Sequence, residues 1–394
     1  MNDDHVCVNC FTDKGIREFI LSNATERHCS FCGQASRKQI AVKLETLVDH
    51  IRYSILREYD EAVNCLPYES AEGGYIGECW DTSELLNDII GLELPHDDGR
   101  LMDSICEGLG QTDWCEADPF GLSDRDHVRY SWSNFCHVVK YERRYFFSAY
   151  GERDHEILTP SEVLSKIFEN AQAIGLLKFL KERTRFFRVR RQKNGEKLTT
   201  IEQLGPPNEE EAKQPNRMSP AGIVMFYVSD NREAALRERV SEPGTYVIAE
   251  FEITRPILIL DLCKLPSIPS LFEGISDSCE YDPRRVLTFL HHVTKEISRP
   301  IERDDRTHIE YVPTQVVTEF IRSQFLSDGT IVEGIKYPSA VHKGFASYVL
   351  FATQKNLISS RMKRGELLSE EDRWILLKSK SISRITKKMI DSWL

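Results

Sequence analysis

The sequence predicts an α+β, multidomain fold from three of its own features. Two Cys-x-x-Cys knuckles open the chain. Helix-start signals and apolar residues at helical spacing follow through residues 36–183. From residue 184 on, short runs rich in β-branched and aromatic residues alternate with further helix starts, as in a mixed sheet with helices. The expected order is a knuckle pair over 1–35, an all-helical middle domain over 36–183, a mixed α+β domain over 184–354, and a basic, partly helical tail over 355–394. A length of 394 residues suits two to three domains.

Cys7-Val8-Asn9-Cys10 and Cys29-Ser30-Phe31-Cys32 are separated by eighteen residues. Each knuckle places two thiolates along one edge of a tetrahedron, and the spacing suits a zinc ribbon. Four thiolates leave no open position on the ion, so the zinc is expected to be structural. Eleven cysteines in a chain of this size, with an acidic and polar start that lacks a signal peptide, point to thiols or metal rather than a disulfide scaffold. A cytoplasmic location is the expectation.

Ser36 with Gln39 reads as a helix start, followed by Ile40, Leu44, Leu47, Ile51 and Ile55 at helical spacing. Asp81 with Glu84 caps a second helix. Helices are expected near Arg100–Glu107 and Asp126–Phe147. Thr159-Pro160-Ser161-Glu162 combines an N-cap, a proline at the first position and a glutamate at the third. The net charge of −11 argues against general nucleic-acid binding. No apolar run approaches the roughly 18 residues of a membrane helix.

Residues 194–215, with Gly205-Pro206-Pro207 and three consecutive glutamates, read as a solvated linker. Next comes the stretch on which the functional reading turns. Ser219-Pro220-Ala221-Gly222 is a turn, Ile223–Val228 a buried strand, and Asp230 with Glu233 a capping box that starts a helix. This delivers Tyr227 near the end of a strand and Glu238 on the helix behind it. Strands are expected at 245–253, 257–262, 330–337 and 347–351, and helices at 269–273, 284–296 and from Pro313. Arg303-Asp304-Asp305-Arg306 reads as a solvated turn from which Arg303 can reach a phosphate.

Four blocks in order resemble the RES domain, a family named for its Arg, Glu and Ser positions. The first is Phe186-Phe187-Arg188-Val189-Arg190. The second runs from Asn216-Arg217-Met218-Ser219-Pro220-Ala221-Gly222 through Phe226-Tyr227 to Ala234-Ala235-Leu236-Arg237-Glu238. The third is Tyr311-Val312-Pro313-Thr314-Gln315, and the fourth Gly334-Ile335-Lys336-Tyr337-Pro338-Ser339. The resemblance implies an ADP-ribosyltransferase-like fold and a toxin or defence effector that consumes NAD. It implies Arg188 for phosphate or ribose contact, Tyr227 for stacking, Glu238 for catalysis and Ser339 for substrate contact. Arg190 shares a strand face with Arg188 and rivals it, and Arg217 adds charge for the pyrophosphate. An antitoxin or immunity protein is the partner implied.

The helical region resembles the HEPN-type domain often joined to a RES domain. Ribonucleases of that type use an Arg-x4–6-His motif. Here Arg129 and His137 have seven residues between them, and Arg125-Asp126-His127 is too short. A scaffold or a module for pairing chains is therefore the expectation. Water, inorganic phosphate or a protein side chain all fit as acceptor of the ADP-ribosyl group. A non-catalytic binding module and a HEPN ribonuclease are the readings from other classes. No GxGxxG fingerprint supports hydride transfer.

Overall fold

A computed structural model describes residues 3–71, 73–96, 98–146, 157–274, 282–299, 306–339, 344–358 and 372–393. The chain divides into two compact units, Met1–His127 with Ser267–Thr288, and Val128–Pro266 with Phe289–Leu394.

In the first unit the knuckles are built into the core. His5–Cys7 pairs antiparallel with Ala41–Lys43, and the helix Leu44–Ile55 follows directly. The helix start expected at Ser36 is therefore displaced, because residues 41–43 are drawn into a strand beside the first knuckle. Ser36 instead accepts the Lys38 amide in a local turn. Ile16, Ile20, Leu47 and Ile51 are fully buried in the same cluster as Cys7, Cys10 and Cys29. The capping box of Asp81 and Glu84 is present, as is the helix Arg100–Leu109.

Residues 36–183 are helical in the main but not throughout, which corrects the all-helical expectation. Tyr59–Glu61, Trp80–Asp81 and Asp113–Glu116 make a three-stranded sheet, and Tyr68–Glu69 pairs with Gly74–Tyr75. These strands have two to four residues, too short for alternation to register. The helix expected at 269–273 is a turn, closed by the Glu273 amide on the Ser270 carbonyl and by the Ser270 amide on the Glu273 carboxylate.

The second unit is organised on a nine-stranded sheet among the described residues. Its strands are β1 (Leu177–Leu180), β2 (Arg185–Gln192), β3 (Phe226–Ser229), β4 (Gly244–Ile253), β5 (Ile257–Asp261), β6 (Val332–Pro338), β7 (Ala346–Leu350), β8 (Leu357–Ile358) and β9 (Ile375–Ile385). The spatial order is β8-β9-β4-β2-β3-β7-β6-β5-β1. Pairing is antiparallel except for β5 with β6 and β8 with β9. Helices α1 (Arg232–Arg239) and α3 (Val312–Arg322) belong to this unit, as does α2 (Pro283–Ser298) from Phe289 on. The Thr159–Glu162 capping box starts the helix Pro160–Ala173 as expected.

Two expectations change here. The N-cap of α1 is Asn231, whose side chain accepts the amides of Glu233 and Ala234. Asp230 is engaged by the Tyr348 hydroxyl at 2.8 Å instead. The tail also supplies β9, which runs alongside the whole of β4 from Gly244↔Ile385 to Ile253↔Ile375. Trp374 and Ile375 are 1% exposed. The sheet buries Phe186, Phe226, Phe251, Leu350 and Trp374 in one cluster, and Val189, Tyr246, Ile248 and Ala235 of α1 in another.

Candidate active site and metal centre

The turn before β3 is held from two sides. Asn216 and Ser219 exchange backbone hydrogen bonds, and Gly222 has φ +87°, which only glycine adopts without strain. From α3, Gln315 Nε2 donates to the carbonyls of Asn216 at 2.8 Å and Ser219 at 3.2 Å, and Thr314 Oγ1 donates to the Arg217 carbonyl. The Tyr311–Gln315 block of the sequence thus serves to position this turn.

The turn in turn fixes Tyr227. Its hydroxyl shares a hydrogen bond with Ser219 Oγ at 2.9 Å and accepts the Met218 amide at 3.3 Å. Burial pushes the phenol up to about 12, so it stays protonated. The hydroxyl end is anchored, and the ring is half-buried.

Strand register places Tyr337 and Ser347 next to this group. Tyr227 lies opposite Val349, Ser229 opposite Ser347, and Tyr337 opposite Ser347 across β3, β7 and β6. Directly opposed residues share a face, so Ser229, Ser347 and Tyr337 form one row. Ser347 is 3% exposed, and its Oγ donates to Glu238 Oε2 at 3.0 Å. Burial raises the Tyr337 phenol well above its ordinary range; the Glu238 carboxylate and the Tyr227 phenol add to this, and the Arg217 guanidinium opposes it. Ser339 follows two residues after Tyr337, its amide donating to the Phe345 carbonyl at 2.9 Å.

Arg188 comes from β2. This strand pairs with β3 only at Phe187↔Ser229. The guanidinium lies 5.2 Å from the Phe226 ring centroid, and its Nη1 is buried with no hydrogen-bond partner among the described residues. Burial pulls its pKa below the ordinary range, with the charges of Arg190 and Arg239 adding to the effect and Tyr227 opposing it. A buried donor of a cation left without a partner is costly unless an acceptor arrives to meet it.

The predicted residues thus divide. Arg188 acts electrostatically on Tyr227, and Glu238, Arg217 and Tyr227 act on Tyr337. Arg217 Nη1 also donates to the carbonyls of Ile297 at 2.6 Å and Arg299 at 2.7 Å, at the end of α2. Arg190 donates to the Gln203 carbonyl. Arg303 lies outside the described residues. Ser347 and Tyr337 were missed as site residues: Ser347 belongs to no quoted motif, and Tyr337 reads in the sequence as one more strand residue.

The four knuckle cysteines are gathered in the first unit. Their sulfurs all lie within 4.8 Å of one another. Cys7–Cys10 is 3.8 Å, Cys7–Cys32 3.5 Å and Cys10–Cys29 3.6 Å. A zinc ion with Zn–S bonds of about 2.3 Å in a tetrahedron requires sulfurs roughly 3.8 Å apart. The donor set therefore fits such an ion, and the four cysteines can hold a metal. A cavity of about 550 Å³ beside them is lined by Asn9, Arg17, Cys32, Gln34 and His96 among others. It includes none of the candidate catalytic residues.

Arg129 and His137, the nearest counterpart of a HEPN nuclease motif, each have a local contact. His137 Nε2 sits 3.2 Å from the Glu142 carboxylate, and Arg129 donates to the Tyr130 hydroxyl at 3.1 Å.

Fold and sequence order together define a chain with a cysteine-knuckled, partly helical N-terminal region followed by a mixed-sheet domain. Comparison with protein families agrees: residues 22–153 match the HEPN/RES N-terminal domain 1, and residues 185–369 match the RES domain. The chain belongs to the RES-domain proteins that carry this N-terminal domain. A RES domain implies an NAD-related, toxin-type function. No curated protein and no solved structure matches the chain. No described helix is long and apolar enough to cross a membrane.

Proposed function

We propose that the RES domain cleaves the bond between nicotinamide and ribose in NAD, with water or inorganic phosphate as acceptor, in the service of a toxin or defence system. The observation that carries this reading is the buried Arg188 Nη1 with no hydrogen-bond partner among the described residues, on a guanidinium whose charge is felt by Tyr227, while the Glu238 carboxylate is felt by Tyr337. A pyrophosphate would meet the unmatched Arg188 donor, and a developing oxocarbenium ion would be stabilised by the Glu238 carboxylate.

In this mechanism the fork of Arg188 grips the pyrophosphate, with Arg190 and Arg217 adding positive field. Tyr227, its hydroxyl tied to the turn, offers its ring to the nicotinamide. The bond from the ribose anomeric carbon to the nicotinamide nitrogen breaks, and its electron pair stays on that nitrogen. Nicotinamide, cationic in NAD, therefore leaves neutral and needs no general acid. Positive charge grows on the ribose, and Glu238 stabilises it. Ser339 contacts the substrate. Water or phosphate then bonds to the anomeric carbon; with water a proton is lost to solvent, giving ADP-ribose.

The test is nicotinamide release by purified full-length protein, in phosphate-free and phosphate-rich buffer, with NAD binding measured by calorimetry. Release in either buffer supports the reading, and dependence on phosphate identifies the acceptor. Protein that binds NAD yet releases no nicotinamide in both buffers would rule the reaction out in favour of protein ADP-ribosylation or a non-catalytic module.

A further inference from the structure

We infer that Gln315 is a positioning residue for Tyr227: the two protons of its side-chain amide clamp the Asn216–Ser219 turn, and that turn holds the tyrosine hydroxyl. The inference rests on the proposed stacking role of Tyr227 and adds what sets the place of the ring. Gln315 lies near the start of α3, in the same unit as the turn, and is 6% exposed.

The donors can be counted. A side-chain amide nitrogen carries two protons, and its oxygen carries none. Gln315 Nε2 lies 2.8 Å from the Asn216 carbonyl oxygen and 3.2 Å from that of Ser219. Both neighbours are acceptors, so the nitrogen and not the oxygen must face them. Each carbonyl also takes an amide from across the turn, Asn216 N–H to Ser219 at 2.8 Å and Ser219 N–H to Asn216 at 3.3 Å. A carbonyl has two lone pairs, so both groups are then filled. The second cross-turn bond is longer than the usual N–H···O range, so the shape of the turn leans on the glutamine.

The Tyr227 hydroxyl depends on the same segment. Its two hydrogen bonds, with Ser219 Oγ at 2.9 Å and from the Met218 amide at 3.3 Å, both come from the clamped turn. Met218 and Ser219 are 1% and 2% exposed. The backbone of Tyr227 is fixed separately, in β3 opposite Val349. Strand pairing alone leaves a side chain its choice of rotamer, and the turn removes that choice at the hydroxyl end. The ring is thereby set before substrate arrives, so less ordering is left to the transition state. An apolar side chain of the same size at position 315 would fill the space and supply neither donor.

The experiment uses full-length protein grown with 3-fluorotyrosine. The fluorine resonance of Tyr227 is assigned by its loss in Tyr227→Phe, and it reports on the ring whether or not NAD is turned over. Nicotinamide release and NAD affinity are measured alongside. Gln315→Met keeps the length of the side chain and removes both donors. It should move the Tyr227 resonance toward its position in unfolded protein and lower kcat about tenfold. NAD Kd should rise about threefold, within the contribution of one aromatic contact. Gln315→Glu should behave alike at about pH 8 and recover part of the loss, relative to wild type, at about pH 5.5, because a buried carboxyl facing carbonyls is protonated there and donates again. A role in packing alone would show no such pH dependence. If Gln315→Met does not fold, Ser219→Ala takes its place, since it removes the 2.9 Å link and leaves the tyrosine to be observed. An unmoved Tyr227 resonance in the folded variant overturns the inference, as does a moved resonance with unchanged kcat and Kd. A moved resonance with weakened NAD binding, in protein that releases no nicotinamide, would uphold the clamp and remove the proposed reaction alone.

Discussion

The Arg188 guanidinium lies 5.2 Å from the centroid of the Phe226 ring, and its Nη1 is buried without a hydrogen-bond partner among the described residues. An aromatic face is a weak substitute for an anion, so Arg188 costs stability in the free protein and offsets that cost only when substrate binds. Arg188→Met is therefore expected to stabilise the free protein by about 1 kcal/mol, the low end of the penalty for a buried unsatisfied group. The same change should weaken NAD binding by at least tenfold. Arg188→Lys should not restore it, because a point charge does not reproduce the two-pronged contact with a pyrophosphate. Thermal melting and calorimetry check the two halves. A destabilised Arg188→Met with intact NAD affinity would mean that the arginine is structural.

The knuckle cysteines should hold about one zinc per chain, since four thiolates saturate a tetrahedral ion. Cys7, Cys10 and Cys29 are packed in the same core as Ile16, Ile20 and Leu47, so metal loss should loosen the first unit. Cys29→Ser is expected to lower the melting temperature and speed proteolysis near the N-terminus, while nicotinamide release falls much less. Elemental analysis of freshly purified protein that has met no chelator decides the matter: a value near zero removes the metal centre.

The C-terminal segment should be indispensable for folding. Trp374 is 1% exposed, stacks under the Arg255 guanidinium at 5.3 Å from its ring centroid, and leads into the strand that runs alongside the whole of β4. Trp374→Ala is expected to cost about 3–5 kcal/mol, the range for removing a buried aromatic side chain. A chain ending after residue 354 should be insoluble or partly unfolded. A stable, active truncation would show that β9 is an accessory.

That segment also shows where the sequence stops being readable. Lys378, Ser379, Lys380 and Ser381 lie on an exposed stretch of β9 near the sheet edge, so the alternation that marks a half-buried strand is missing. By contrast, Tyr227 and Glu238 were legible because both follow from one local unit of turn, strand and helix. The cap shifted by one residue, from Asp230 to Asn231, because Tyr348 from a strand far along the chain claims the Asp230 carboxylate. Ser347 was invisible for the same kind of reason. Its place beside Glu238 depends on the β6–β7 register and on where α1 lands, neither of which is encoded within a short window. Arg190 and Arg217 were legible as cations but not as residues already engaged by the Gln203, Ile297 and Arg299 carbonyls.

The helical region should not cut RNA. His137 is engaged with Glu142, and seven residues separate it from Arg129. Full-length protein incubated with single-stranded RNA is expected to leave it intact, in keeping with the net charge of −11, which repels a phosphate backbone. Cleavage that disappears on His137→Ala would reverse this reading.

Glu238 should be indispensable for turnover yet of modest importance for NAD binding. A carboxylate near the anomeric carbon acts mostly on charge that is absent from the ground state and present in the transition state, so its energy appears in kcat rather than in affinity. Glu238→Gln keeps the length of the side chain and an oxygen to accept the Ser347 hydroxyl, now 3.0 Å from Oε2, but removes the negative charge. A loss on the order of 10²-fold or more in the rate of nicotinamide release is expected, the scale found when other electrostatic stabilisers are removed. Tyr227→Ala should behave differently, weakening binding and rate together, because it removes the stacking ring and frees the Ser219 and Met218 donors. Steady-state release and separately measured NAD affinity distinguish the two patterns. Unchanged turnover in Glu238→Gln would remove the catalytic assignment, whatever the reaction of the RES domain proves to be.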